Sequence, residues 1–457
     1  MTDINLKNRV DEFINNRSVL ILGFGREGNS SYRFFRNMFP NMLISIADSN
    51  GEIESDDVLI NDSNVSLILG DDYLSRIQDF EFVLKSPGIS FKNYTIPENQ
   101  YVSSQTDLFL YLFSEQTIGI TGTKGKSTTS SLLKHVLGGF YDDVLLIGNI
   151  GVPALDVVNI IGENTKVVFE MSSHQLEYVS NSPKIAVLLN LYQEHLDHYS
   201  DYKSYRFAKW NIVKYQGEQD CFICCIDETQ VLEDINNQII QSVQLKYSFN
   251  NNVDCFFDLD DEILNLKSNK HSFNRSQFAL LGEHNLYNAM AVLLVCDYMK
   301  LPLEKAIELM MTFKSLPHRL EFVAEVNGIK FYNDSISTIP QATIKALESV
   351  SNVRSLILGG FDRGIDYDLL INYLTSFKPL SIMLLGEVGA RIYNCLQEKQ
   401  YKGRLYRSSS MKEAVNKAFE LTPKGSACLL SPAASSYDSF KNFEERGARF
   451  KELVQNQ

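Results

Sequence analysis

The 457-residue chain has no apolar run long enough to span a bilayer. A membrane helix needs about 18 or more consecutive apolar residues, and the longest candidate, 289–296, falls far short. The first residues, M-T-D-I-N-L-K-N-R, are polar and lack the apolar core of a secretion signal, so a cytoplasmic protein is expected. Positive charge is also scarce: 43 Lys and Arg face 56 Asp and Glu, a net charge of −13. That balance lacks the basic footprint of a nucleic-acid binder. Any phosphate it holds must be met by local cations, helix N-termini and metal ions. Cysteine is sparse and odd in number, seven in all, with Cys221, Cys224 and Cys225 the one cluster. No second Cys/His group stands near that trio, which reads as part of a buried strand, and a disulfide framework is excluded.

What the chain does have is an alternation of short apolar runs with helical patterns, the mark of parallel α/β architecture. The alternation restarts twice, giving three blocks that end near residues 114 and 316. The first opens with an apolar strand at 19–22, then Gly23-Phe-Gly25-Arg-Glu-Gly28, then a helical stretch to 39. A second strand over 43–47 ends in Asp48, 20 residues after Gly28. That is a dinucleotide-fold fingerprint in its strand–turn–helix setting, and it suits NAD or another pyrophosphate ligand such as a UDP-sugar equally well. The stretch 246–281 is poor in helical signal and suggests a small antiparallel patch.

The second block begins I-G-I-T-G-T-K-G-K-S-T over 118–128. A strand, a glycine loop and Lys126-Ser127-Thr128 opening a helix form a phosphate cradle: backbone N–H groups and Lys126 meet phosphates, and Ser127 can hold Mg²⁺. The common loop has four residues between its first glycine and G-K-S/T. Here two separate Gly122 from Gly125, and Ile120 stands where the usual glycine falls, so the loop is of a particular subtype. Glu170 closes the apolar strand 167–169, where a hard oxygen ligand for Mg²⁺ belongs. Past the next strand, 185–189, the sequence gathers Glu194, His195, Asp197 and His198. At least one should face the nucleotide, and spacing does not say which. Lys209, in the helical pattern 202–214, reads by composition as a solvated helix lysine.

In the third block, strands are expected at 329–332, 356–358, 382–385 and 427–430. Leu316-Pro-His-Arg-Leu-Glu321 sets His318 and Arg319 at the junction between the last two blocks, where an arginine can reach phosphates. The small-residue stretch from Ser431 to Gly447 follows a strand and precedes a helix, a turn whose amides could grip a carboxylate.

Across all three blocks, G-T-K-G-K-S-T, G-N-I-G-V-P-A-L, E-M-S-S-H-Q-L-E, H-N-L-Y-N-A, L-P-H-R-L-E, N-D-S and S-S-Y-D-S-F-K-N-F-E-E-R-G resemble the Mur ligases, and the last points to their D-glutamate-adding branch. The resemblance implies a Rossmann-type domain for a UDP substrate (1–114), a central phosphate-loop ATPase-like domain (115–316) and a C-terminal Rossmann-like domain (317–457). It implies ATP-dependent, ADP-forming ligation of D-glutamate to UDP-N-acetylmuramoyl-L-alanine through an acyl phosphate, in peptidoglycan precursor synthesis, by a monomer acting on small molecules. Residue by residue, Gly25, Asp48, Ser49, Ser86 and Gly88 would meet the UDP moiety, and Asn149 the sugar substrate and the reacting centre. Gly122, Thr123, Lys124, Gly125, Lys126, Ser127, Thr128, Asn288, His318, Arg319 and Asp334 would hold ATP. Ser127, Glu170, His195 and Lys209 would serve two Mg²⁺ ions, with Lys209 carbamylated. Thr338, Arg363, Ser436 and Phe443 would hold D-glutamate. Two departures stand out: the family's N-D-S-K reads Asn333-Asp-Ser-Ile336, and a glutamate-binding lysine is replaced by Arg363, which keeps the charge.

Three rivals share parts of this pattern. A different Mur ligase or a folylpolyglutamate synthase would release phosphate with another amino acid. An NAD-dependent oxidoreductase would enhance NADH fluorescence, and a nucleotide-gated binding protein would bind ATP without hydrolysis.

Overall fold

The computed structural model describes residues 3–267 and 269–456. Each of the three blocks builds a sheet. The first holds five parallel strands: β1 (Val19–Leu22), β2 (Ile44–Asp48), β3 (Val65–Leu69), β4 (Phe82–Lys85) and β5 (Tyr101–Ser103), in the order β3-β2-β1-β4-β5. The order reverses beside β1, so the turns after β1 and β4 open on one crevice, where doubly wound sheets hold their ligands. Gly28 is obligatory there: a Cβ on it would lie 1.9 Å from the Gly23 carbonyl oxygen.

The second sheet comprises β6 (Thr117–Thr121), β7 (Val144–Gly148), β8 (Lys166–Glu170), β9 (Ile185–Leu188), β10 (Cys221–Cys225), β11 (Val243–Ser248), β12 (Cys255–Asp258), β13 (Ile263–Leu266) and β14 (Asn269–Ser272). Its order is β14-β13-β12-β11-β10-β9-β6-β8-β7. The strands β6 and β9 are buried along their whole length, which is why they read as unbroken apolar runs. The cysteine trio lies in buried β10, as read from sequence. The expected antiparallel patch is the β12–β13–β14 meander.

These two sheets belong to one compact unit, residues 1–275 and 286–311. The helix Gln105–Phe113 binds them together. Ser104 caps it by accepting from Asp107 N at 3.1 Å, and Phe109 meets Phe169 of β8 edge to face at 5.5 Å. Nearly every residue of this helix is buried, because it has a sheet to cover on either side.

The second unit, residues 276–285 and 312–457, carries the third sheet. Its strands are β15 (Glu321–Val326), β16 (Ile329–Asn333), β17 (Val353–Gly359), β18 (Ser381–Leu385), β19 (Arg404–Arg407) and β20 (Ala427–Leu430), ordered β15-β16-β20-β17-β18-β19. Only β15 runs antiparallel. The architecture is α/β throughout, and among the described residues no helix is long and apolar enough to cross a membrane.

Candidate active site

The phosphate loop leaves the end of β6 between β9 and β8. Gly122 (φ +156°) and Gly125 (φ +87°) occupy backbone conformations that side chains resist. Crowding reinforces the choice, since a Cβ at Gly122 would lie 2.9 Å from Leu189 Cβ, and one at Gly125 2.8 Å from Asn288 Oδ1. Asn288 thus stands directly over the loop. Asn190, just past β9, clamps the loop from below. Its Oδ1 accepts from Lys124 N (2.8 Å), its Nδ2 donates to Lys124 O (3.0 Å), and its carbonyl accepts from Thr123 N (3.0 Å). Sequence reading gave Asn190 no role, because a clamp made through space has no spacing to reveal it.

The helix Lys126–Leu137 begins at the loop, presenting the positive end of its dipole. Lys126 Nζ donates to Gly122 O (2.8 Å) and Thr123 O (3.0 Å). Beside it, Glu170 ends β8 fully buried. Its Oε1 accepts from Asn149 Nδ2 (2.7 Å) and Ser127 Oγ (3.3 Å), while Oε2 is buried with no hydrogen-bond partner. A buried carboxylate oxygen without a donor, next to a hydroxyl and a phosphate cradle, fits a hard cation such as Mg²⁺.

Lys209 corrects the reading from composition: it is buried, 1% exposed. The helix Tyr202–Lys214 turns Tyr205, Ala208, Lys209 and Ile212 inward, an i, i+3, i+4, i+7 face that puts the lysine beside two apolar neighbours and an aromatic. Lys209 Nζ donates to Gly122 O (2.9 Å) and Thr121 Oγ1 (3.3 Å) and lies 5.1 Å from the Tyr205 ring centre. Burial first, then the Lys126 charge, hold its amine well below the ordinary lysine range, with Glu194 and Glu170 pulling the other way. Tyr205, also buried, hydrogen-bonds Thr123 Oγ1 at 2.8 Å.

The acidic–histidine segment sorts itself. Glu194 pairs with Lys124 of the phosphate loop at 2.5 Å. His195 lies with its ring 5.9 Å from that of Tyr205, and its pKa is lowered, chiefly by desolvation, with Lys209 and Lys126 adding to the effect against Glu194 and Asp197. Asp197 is exposed. His198 turns away, its Nε2 3.2 Å from Glu177 Oε2, which also pairs with buried Lys85 at 3.1 Å.

In the crevice of the first sheet, Gly25 is exposed and nothing crowds the place of its absent side chain. Asp48 accepts from Phe24 N (2.6 Å) and Asn50 N (2.8 Å), so it fixes the glycine turn. Ser86 Oγ donates to Gly23 O at 2.8 Å, tying the turns after β1 and β4 together. Ser49 and Gly88 are exposed beside them.

The second unit gathers its own set. His318 Nδ1 lies 2.9 Å from Asn333 Nδ2. Asp334, 3% exposed, accepts from Ser431 Oγ (2.9 Å) and Leu320 N (3.2 Å), with Arg319 close enough to draw its pKa down. Thr338, Arg363 and Ser436 lie in the turns after β16, β17 and β20, which are neighbours in the sheet; Ser436 is buried and Arg363 exposed. Phe443, half-buried, starts the final helix. A residue not singled out in the sequence, Arg446, braces this region. It is 2% exposed and donates to Ser335 Oγ (3.0 Å), Ser335 O (2.8 Å) and Ala434 O (3.0 Å).

Burial raises the Asp334 carboxyl to about 6. Between pH 4 and 6 the folded chain therefore holds this proton while the unfolded chain loses it, and stability falls as pH rises. Relative to Asp334→Asn, the wild type should lose up to about 3 kcal/mol over that interval. Parallel unfolding curves from pH 4 to pH 7 would contradict this.

The Mur ligase middle domain model matches residues 120–296. The chain is 32% identical to the UDP-N-acetylmuramoylalanine–D-glutamate ligase of Clostridioides difficile, over 96% of this chain and 98% of that protein. It is 32% identical to the protein of the same name from Streptococcus agalactiae serotype Ia, over 95% and 96%. Among solved structures, the MurF ligase of Thermotoga maritima in complex with ADP matches with a TM-score of 0.60 at 16% identity, over 96% of this chain and 95% of that one. The MurC ligase of the same organism matches at 0.57. With a relative 32% identical along nearly its whole length, the chain belongs to the Mur ligase family.

Proposed function

We propose that the chain joins D-glutamate to UDP-N-acetylmuramoyl-L-alanine, splitting ATP to ADP and phosphate, as a monomeric cytoplasmic enzyme of peptidoglycan precursor synthesis. The observation that carries this reading is the convergence of Lys126, Ser127, Asn149 and Glu170 with buried Lys209 at one loop. Three domains divide the work: residues 1–114 bind the UDP moiety, 115–316 bind ATP, and 317–457 bind D-glutamate and part of ATP.

Joining a carboxylate to an amine in water is uphill, so the carboxylate is activated first. An oxygen of the alanyl carboxylate attacks the γ-phosphorus, the bond to the β–γ bridging oxygen breaks, and ADP leaves. The neutral D-glutamate amine nitrogen then attacks the acyl carbon to give a tetrahedral intermediate, which expels phosphate by breaking the acyl C–O bond, the nitrogen's proton leaving on the phosphate. Bringing anions together is the main barrier. Lys126 and the helix N-terminus stabilise charge where it accumulates on the phosphoryl group, and Asn149 orients the acyl end. Mg²⁺, when bound, supplies charge neutralisation at the phosphates; Ser127 and Glu170 would hold a first ion, and His195, with a carbamylated Lys209, would serve a second. Thr338, Arg363, Ser436 and Phe443 bind D-glutamate, with the guanidinium of Arg363 suited to a carboxylate.

The test is ADP release from ATP and UDP-N-acetylmuramoyl-L-alanine. Release should depend on D-glutamate and not respond to L-alanine, L-glutamate or meso-diaminopimelate. Release driven by one of those instead would reassign the substrate.

A further inference from the structure

His195 sits in the left-handed region at φ +59°, a conformation that a non-glycine residue keeps only when its surroundings over-determine it. Part of that constraint is local, since His195 O accepts from His198 N (3.1 Å) and Tyr199 N (3.0 Å). The rest arrives from the first sheet. Ser90 Oγ donates to His198 O at 2.7 Å and Lys92 Nζ to Leu196 O at 3.0 Å. Both donors belong to the segment that leaves β4 through Ser86, Pro87 and Gly88, so a single short segment touches the candidate UDP turn at one end and the His195 loop at the other.

The segment is braced internally. Ile89 N donates to Ser86 O (3.2 Å), Lys92 N to Ser90 Oγ (3.2 Å), and Phe91 is buried against Tyr94 and Tyr178 with ring centres 4.9 and 5.8 Å away. Both tethers end on backbone carbonyls, so they set the course of the main chain around His195 whatever its side chains do. We infer that Ser90 and Lys92 are positioning residues, which hold the His195 loop to the UDP-binding turn so that filling that turn tightens binding at the phosphate loop. This inference rests on the proposed ligase reading. It assigns a physical route to a coupling, and coupling is itself the quantity to measure.

Calorimetric titration with the non-hydrolysable ATP analogue AMP-PNP and Mg²⁺, with and without saturating UDP-N-acetylmuramoyl-L-alanine, reads it directly. For the wild type, the UDP-substrate should lower the AMP-PNP Kd by about tenfold. In Ser90→Ala/Lys92→Ala the factor should drop to about one, each ligand alone binding within about twofold of wild type, with kcat falling more than KM. The donor-preserving Ser90→Thr/Lys92→Arg should restore the coupling. If the double alanine variant does not fold, Lys92→Ala at its exposed position should still show a reduced factor. A factor of one in the wild type, or an undiminished factor in the variants, overturns the tether alone. Failure of the UDP-substrate to bind at all overturns the ligase reading and the tether with it.

Discussion

Lys209→Ala should lower kcat by about 10³-fold while AMP-PNP still binds within a few-fold of wild type. The side chain lies under the loop, donating to Gly122 O and Thr121 Oγ1, so its loss leaves the loop's own glycines and its Asn190 clamp in place. What disappears is a buried amine beside a second lysine. Neutralising an ordinary lysine at pH 7 costs about 4.6 kcal/mol. Burial and the Lys126 charge lower that cost here, which favours the proposed carbamylation. Lys209→Arg separates this role from simple positive charge, because a guanidinium stays protonated. It should be as inactive as the alanine variant. Wild-type turnover in either, with folding verified by thermal melting, would remove Lys209 from the mechanism.

Glu170→Gln should act through the metal instead. Its Oε1 already has two donors and its buried Oε2 has none, so the amide substitution keeps the shape and places an N–H₂ or a neutral oxygen where a cation would be met. The expected result is a kcat lower by about 10²–10³-fold and a steep rise in the Mg²⁺ concentration needed for half-maximal rate. Melting temperature should hold or rise, because a buried, incompletely satisfied carboxylate is replaced by a neutral group. An unchanged Mg²⁺ dependence would show that Glu170 serves only to orient Asn149 and Ser127.

The contrast between these two residues shows what a sequence can disclose. Glu170 was visible because an apolar strand points straight at it and strands end at ligand sites. The phosphate loop was visible because its glycines answer a local backbone demand, met again in the positive φ of Gly122 and Gly125. Asp48 was placed by its distance from Gly28, and the structure sets it against the same turn. Lys209 was hidden because a lysine's burial depends on what packs over it, and the carbonyl it meets is 87 residues away. Only its place four residues after buried Tyr205 could have hinted at it. Asn190 and Arg446 were hidden for the same reason: each acts by bridging main-chain segments that are distant in sequence. In the third block β16, β17, β18 and β20 were legible from their apolar residues, whereas β15 and β19, with polar and half-buried faces, were not.

Lys126 already has acceptors within its own loop, since the Gly122 and Thr123 carbonyls accept hydrogen bonds from its Nζ. Phosphate entry is thus an exchange of partners and not the filling of a bare cation. A stray sulfate or inorganic phosphate must displace those carbonyls with fewer contacts than a triphosphate can make. The lysine's fold-back thereby weighs against small anions and leaves long, multiply anchored ones favoured.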